Sequence, residues 1–230
     1  MGFIADGLFR TDSEANNSAT IPGSRVAAGY IKYVDRNGDG KITYAQDMGY
    51  VAGSPYPMVQ GSLNLFASWK GFDLDMLWQG ATGRTVSLTG VYTATGSEYI
   101  MDNTFLTKPF YHGGNSPLFL LENSWLPDNK DGEFPRPSIT PLSSNNAYSS
   151  TFWYRDGSYL RLKTLQLGYT VPQAWLKTLG VTALRFYVQG SNLLTFSGLT
   201  KYNIDPEQPA VNNGYYPQQK VYQAGVKITF

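Results

Sequence analysis

The sequence predicts an all-β fold: antiparallel transmembrane β-barrel strands, about five in number and joined by long extracellular loops, forming the C-terminal part of a larger barrel. Three observations carry that expectation. Apolar and polar residues alternate with a period of two over several long segments. The connections between those segments are short on one side and very long on the other. Aromatic residues make up 15% of the 230 residues and charged residues only 15%, against roughly 25% charged in an average soluble domain.

The first strand runs from Val59 to Trp69, with Val59, Leu63, Leu65, Ala67 and Trp69 on one face, Gln60, Ser62, Asn64 and Ser68 on the other, and Phe66 as the exception. Lys70-Gly71 then turns the chain into a second strand, where Phe72, Leu74, Met76 and Trp78 alternate with Asp73, Asp75 and Gln79, so the two form a hairpin. A third strand spans Leu160 to Val171. Its Leu165, Leu167, Tyr169 and Val171 share a face, and Leu160 and Leu162 lie out of phase with them, which predicts a bulge. The fourth covers Leu184 to Leu194, and the fifth sets Tyr222, Ala224, Val226, Ile228 and Phe230 against Gln223, Gly225, Lys227 and Thr229.

Strands of about 9 to 12 residues exceed the usual soluble length and approach that of a tilted membrane-crossing strand. The Lys70-Gly71 turn is short, whereas the loops over 81–157 and 195–220 are long. Trp69 and Phe72 beside the short turn, with Tyr169 and Trp175 beside the 172–183 connection, suit an aromatic girdle. Residues 1–58 read as an extracellular loop region, and 59–230 as the strands with their loops. Five strands fall short of the smallest closed barrel, about eight, so the strands are expected to belong to something larger. A β-sandwich with one face in water shows the same alternation. A secreted calcium-dependent carbohydrate-binding β-sandwich is therefore the alternative.

Composition removes other classes. Eighteen basic and seventeen acidic residues give a net charge of +1 without a basic cluster, so no nucleic-acid partner is expected. With no cysteine and one histidine, His112, thiol nucleophiles, disulfides and zinc sites built from Cys or several His are excluded. No apolar run approaches the roughly 20 residues of a membrane-spanning helix. Met1 to Gly7 lacks the basic segment, apolar run and cleavage site of an export signal.

Asp35-Arg36-Asn37-Gly38-Asp39-Gly40-Lys41 reproduces the opening of an EF-hand-type calcium loop, with oxygen donors at positions one, three and five, glycine at six and the Lys41 carbonyl at seven. Position twelve is Gln46, a poor bidentate ligand, and Asp47 follows it, so either the loop is one residue longer and Asp47 closes it, or the affinity is weak. The competing reading is an Asx-rich turn that ties its own backbone. The ion would hold an external loop in shape. His112 reads as a structural or exposed loop residue, and no catalytic constellation is present. Asp73 and Asp75, two apart on a strand and so about 7 Å apart, read as lumen lining. Trp125, Tyr148 and Trp153 in the long loop are candidates for stacking on sugar rings, or for packing that loop.

A series of short segments runs along the chain: Asp6-Gly7-Leu8-Phe9, the calcium-like loop, Gly53-Ser54-Pro55-Tyr56-Pro57, Trp69 to Leu74, Trp125 to Asn129 and Pro135-Arg136. Asp156-Gly157-Ser158-Tyr159-Leu160-Arg161-Leu162-Lys163, Leu167-Gly168-Tyr169, Ser191-Asn192-Leu193, Asp205-Pro206-Glu207 and the terminal Phe230 continue it. Taken in this order, the segments resemble the SusC/RagA family of TonB-linked outer-membrane receptors of Bacteroidota. The resemblance covers nearly the whole chain and implies the C-terminal end of a 22-stranded plugged barrel. It further implies outer-membrane lipid around the strands, a SusD-like surface lipoprotein that captures glycan or peptide, and energy from TonB through an N-terminal part lying upstream with the plug and signal peptide. The last strand, with Tyr222, Val226, Ile228 and Phe230, would be the signal read by the outer-membrane assembly machinery through strand addition.

Overall fold

The computed structural model describes residues 1–24, 26–88, 118, 122–136, 145–176, 180–207 and 218–230. The chain divides into two compact units, one of residues 1–53, 85–155 and 210–215, the other of residues 54–84, 156–209 and 216–230.

The second unit is an antiparallel sheet of five long strands. To label these in chain order, the short strands of the first unit come first: β1 (Gly2–Phe3), β2 (Ala5–Leu8), β3 (Ile31–Tyr33) and β4 (Met48–Gly49). The long strands β5 (Val59–Trp69) and β6 (Phe72–Thr82) follow, then the short β7 (Thr85–Ser87) and β8 (Tyr154–Asp156). The long β9 (Tyr159–Thr170), β10 (Ala183–Ser197) and β11 (Val221–Thr229) complete the series. The order across the sheet is β11-β10-β9-β6-β5, in which every neighbour is antiparallel. All five expected strands are present, with β10 three residues longer at its carboxyl end than the alternation suggested.

Register explains why one face is continuous. Residues directly opposite each other in an antiparallel ladder share a face. One row therefore runs Trp69, Phe72, Tyr169, Phe186, and the next Ala67, Leu74, Leu167, Val188. The first of these rows is the aromatic band expected beside the short turn, and the Phe72 and Tyr169 rings lie 4.6 Å apart. Lys70 and Gly71 both adopt positive φ, 47° and 90°, as a two-residue hairpin turn of the twist-matching kind requires.

The bulge lies within β9. Leu77 of β6 faces Thr164 while its neighbour Trp78 faces Leu162, so Lys163 is the extra residue. The slip brings Leu160 and Leu162 onto the same face as Leu165 and Leu167, which repairs the phase error seen in the sequence. Against β10 the register shifts again between Ser191 and Leu194, where Asn192 takes the left-handed conformation, φ 55°.

The apolar face is bare. Leu63, Leu65, Phe186, Val188, Val226 and Ile228 are 42–57% exposed, and the other sheets among the described residues are two-stranded. A β-sandwich would cover this face with a second sheet. The exposed face is that of a barrel wall in lipid, and it removes the main support for the sandwich alternative.

The first unit has a core of its own. Phe3, Ile31, Tyr33, Ile42, Phe134 and Trp153 are all at most 4% exposed. The helix Asp12–Asn16 is capped by Thr11, whose side chain accepts from the Glu14 amide. The segment around Asn145 and Asn146 is stitched to β3: the Ile31 amide donates to Asn146 Oδ1 at 2.8 Å, Asn145 donates to the Ile31 carbonyl, and the Tyr33 hydroxyl donates to the Asn145 carbonyl. Burial raises the Tyr33 hydroxyl above its ordinary pKa. Residues assigned by sequence to one long loop, 81–157, thus include strand, 3-10 helix and core.

Candidate functional site

The polar face of the five-stranded sheet carries two ion-pair assemblies. Asp73 on β6 and Arg185 on β10 reach toward each other across the intervening β9. Arg185 Nε donates to Asp73 Oδ1 at 3.1 Å, and a terminal nitrogen bonds the other oxygen, so the contact is bidentate. Gly168 is the residue beneath. A Cβ built there would stand 2.5 Å from Asp73 Oδ1 and in collision with the guanidinium, so only glycine lets the pair close over the strand. The neighbouring Tyr187 ring lies over Gly225 in the same manner and has the Arg185 guanidinium 5.6 Å from its centroid. Asp73, expected to line the lumen, is on the polar face as half of this pair.

The second assembly ties down the segment after β10. Arg161, its side chain 3% exposed, donates from Nε to Thr195 Oγ1 at 2.9 Å, from Nη2 to both Asp205 oxygens at 2.9 Å and from Nη1 to Glu207 Oε2 at 2.8 Å. Lys163 Nζ also bonds Glu207 Oε2, at 2.7 Å. Without the β9 bulge, Lys163 and Thr164 would point to opposite faces. The extra residue lets Lys163 join Arg161 against Glu207 while Thr164 keeps the polar register. Two cations and two carboxylates balance, which is what allows so little exposure. Sequence reasoning quoted Arg161-Leu162-Lys163 and Asp205-Pro206-Glu207 separately. Nothing in periodicity links positions 44 residues apart in the chain, as Arg161 and Asp205 are.

The calcium-like loop is organised by its own amides. Asp35 accepts from Gly38 at 2.7 Å and Gly40 at 2.8 Å, and Asp39 accepts from Lys41 at 2.9 Å and from the Asn37 side chain at 2.9 Å. Gly38 and Gly40 take positive φ, 75° and 82°. Asp47 is fully buried, and its two oxygens accept from the amides of Arg36 at 2.8 Å and Thr43 at 2.7 Å. Asp47, a candidate ligand from the sequence, instead clasps backbone N–H groups with both oxygens. Hydrogen bonds from the Thr43 amide first, with those from Arg36 adding to it, hold its carboxyl below the usual carboxylate pKa against the opposing effect of burial. The described residues contain no group of three or more His, Cys, Asp or Glu side chains gathered to hold a metal. A carboxylate oxygen accepting one N–H keeps a second lone pair, so the donor set Asp35, Asn37, Asp39 and the Lys41 carbonyl retains the capacity to meet an oxygen-seeking cation.

The three candidate stacking aromatics separate. Trp125 and Trp153 are 4% and 1% exposed, so they are core residues with no ring face free for a sugar. Trp153 donates from its indole to the Asn146 carbonyl at 3.0 Å, and Trp125 lies against Gly29 with the Arg136 guanidinium 5.9 Å from its ring centroid. Their loop position suggested ligand contact; their volume instead fills a core that the first unit builds from several segments. Tyr148 is half-buried in a cluster with Phe3 and Tyr44, at ring separations of 5.8 and 6.0 Å. Of the three, it alone retains accessible surface. His112 lies outside the described residues.

On the edge strand β11, Tyr222, Val226 and Ile228 share the apolar face and are 50–75% exposed, and Phe230 follows the strand. One face suited to lipid, an opposite face carrying paired ions, and long strands hydrogen-bonded to their neighbours within the sheet define a segment of β-barrel wall.

No protein-family model matches the chain. It is 27% identical over its whole length to TonB-dependent receptor P3 of Formosa agariphila, and 29% identical over 88% of its length to TonB-dependent receptor P26 of the same organism. The aligned stretches make up 22% and 20% of those receptors, so the chain spans about a fifth of the curated relatives it matches. Solved structures of the RagAB peptide importer in its open-open state and of the RagAB peptide transporter share the fold, with TM-scores of 0.57 and 0.58 at 22% and 21% identity. In each, the whole of this chain corresponds to 22% of the solved chain. The chain is thus similar over its whole length to part of the TonB-dependent receptors, in line with the resemblance seen in the sequence, and it has the fold of the corresponding part of the RagAB structures.

Two outcomes follow from this geometry. Arg161→Ala in the full-length receptor is expected to destabilise the Asp205–Glu207 segment by about 1–3 kcal/mol, the cost of leaving Asp205 without its cation and Glu207 with Lys163 alone, and to expose it to proteinase K; unchanged cleavage would count against the clamp. For Asp47, a folded-state pKa held below the ordinary value means its stabilisation is present above that value, about 3.9, and lost as pH falls through the folded pKa. Protease resistance of the 35–47 loop should therefore decline below about pH 4, whereas Asp47→Ala should weaken it at neutral pH by on the order of 1–3 kcal/mol per amide left unpaired.

Proposed function

We propose that this chain supplies the last strands and external loops of an outer-membrane transporter that imports glycans, peptides or other large nutrients, with a SusD-like lipoprotein over its outer side and TonB supplying energy through the receptor's plug. The observation that carries the reading is the two-faced sheet: an uncovered apolar wall backed by a polar face whose charges are paired across strands. A wall of this kind encloses a lumen. The edges β5 and β11 present unpaired backbone groups that hydrocarbon cannot satisfy, which calls for further strands and a closed barrel. The relatives are named as TonB-dependent receptors and the RagAB structures as a peptide importer, which supports transport over catalysis and puts peptide beside glycan as a cargo class. The chain is read as non-enzymatic on the same ground. Tyr148 and its partner Tyr44, 56% exposed, form the aromatic surface of the first unit suited to cargo contact.

Calcium belongs to the proposal as a structural ion for residues 35–47, held by Asp35, Asn37, Asp39 and the Lys41 carbonyl. Asp47 stays with the amides of Arg36 and Thr43. Its removal by EGTA should accelerate proteolysis in this loop of the intact receptor, and re-addition of calcium but not magnesium should reverse it; indifference to both would remove the ion from the account.

Phe230→Asp in the full-length receptor is expected to lower surface abundance several-fold, because the exposed aromatic end of β11 is the feature an assembly machine reads by strand addition. Equal abundance of mutant and wild type would sink the assembly role. The transporter reading itself is tested by uptake of fluorescent peptides and oligosaccharides: cells deleted for the receptor should lose at least one cargo class, and undiminished uptake of all of them would overturn it.

A further inference from the structure

The apolar wall is not uniformly filled. Gly61 of β5 and Gly80 of β6 face each other in register, and the same row continues through Leu160 to Phe196. Two adjacent strands thus lack a side chain at one level of a face otherwise paved with leucine and aromatic residues. A Cβ built on Gly61 would meet nothing within 4 Å. Around the paired glycines lies a groove of about 660 Å³, walled by Leu63, Trp78, Leu160 and Phe196. The Trp78 and Phe196 rings are stacked across β9, with centroids 6.4 Å apart and planes inclined by 21°, and so give it a firm side.

We infer that this notch is a lipid site that seats one hydrocarbon chain of an outer-leaflet lipid. The occupant follows from position. The groove is continuous with the lipid-facing surface, so hydrocarbon is what surrounds it. Gly61 stands eight residues from the Trp69 end of β5. At ~3.4 Å per residue and a tilt of ~40° this places it ~20 Å above the short turn, in the outer part of an apolar band ~25 Å tall. Short turns lie on the periplasmic side of such barrels, so the chain comes from the outer leaflet. The groove is open to the surrounding lipid, and laying methylenes against its aromatic and aliphatic walls improves on the loose contact of bulk acyl chains. Gly61 is free of positive φ, so the backbone does not require glycine there. The notch is what its absent side chain provides.

The inference rests on the barrel reading, and its test separates the two. Full-length receptor is extracted from outer membranes into detergent and its bound lipid counted by native mass spectrometry, with heat-modifiable migration on a gel reporting the folded barrel. Gly61→Leu, which fills the notch, should stay folded and retain about tenfold less lipid than wild type, what losing roughly two buried methylenes amounts to. Ala67→Leu, on the same face but away from the notch, should retain the wild-type amount. Equal retention in Gly61→Leu, or equal loss in Ala67→Leu, overturns the site while leaving the barrel intact; a receptor that is not heat-modifiable and not in the membrane overturns the barrel reading instead. A second measurement needs no variant: receptor equilibrated with a phospholipid carrying a brominated acyl chain should show bromine over Gly61 in its anomalous scattering, and a neighbouring strand's side chain occupying the notch would overturn the proposal.

Discussion

Every feature of the long sheet depends on one constraint: in hydrocarbon, a backbone amide or carbonyl has no water to fall back on. The antiparallel ladders meet that constraint on both sides of β6, β9 and β10 and on the inner sides of β5 and β11. Once the backbone is so committed, side chains are constrained by parity, because a one-residue slip would send leucine into the lumen and aspartate into lipid. The Lys163 bulge shows how a slip can be tolerated. It is the single residue by which β9 changes phase, and because the sequence changes phase at the same place, the apolar wall stays unbroken from Leu160 to Tyr169.

Charge on the polar face obeys a related rule. Arg161 and Arg185 are not scattered lumen charges; each is held by carboxylates drawn from elsewhere in the chain. The two assemblies do different work. Asp73 and Arg185 clamp three adjacent strands through Gly168, stiffening the wall itself. Arg161 and Lys163 instead draw Asp205 and Glu207 onto the wall, so the segment following β10 is pinned over the polar face. Gly168 and Gly225 on the polar face, and Gly190 on the apolar face, make room for neighbouring side chains, whereas Gly61 leaves open space.

The strands were legible because a period of two is enforced at every residue, and even the bulge announced itself as Leu160 and Leu162 falling out of phase. The hairpin turn was legible from Lys70-Gly71. What the sequence concealed were long-range pairings. Arg161 with Glu207, and Asn145 and Asn146 with Ile31, join positions whose spacing carries no pattern. Trp125 and Trp153 misled for a related reason. Aromatics between long strands look like loop surface, whereas residues 85–155 fold with 1–53 into a core that has no periodic signature.

That second core sets the first unit apart from a set of connecting loops. Loops that only connected strands would have no need to bury Phe3, Phe134 and Trp153 or to commit Asn145 and Asn146 side chains to β3. These are the marks of a folded body with its own hydrogen-bond satisfaction, and the Asp47 clasp extends the same logic to the 35–47 loop. A folded body holds Tyr44 and Tyr148 at fixed separation, so whatever these rings touch meets a preorganised surface and the loss of loop entropy is met during folding and not at the moment of contact.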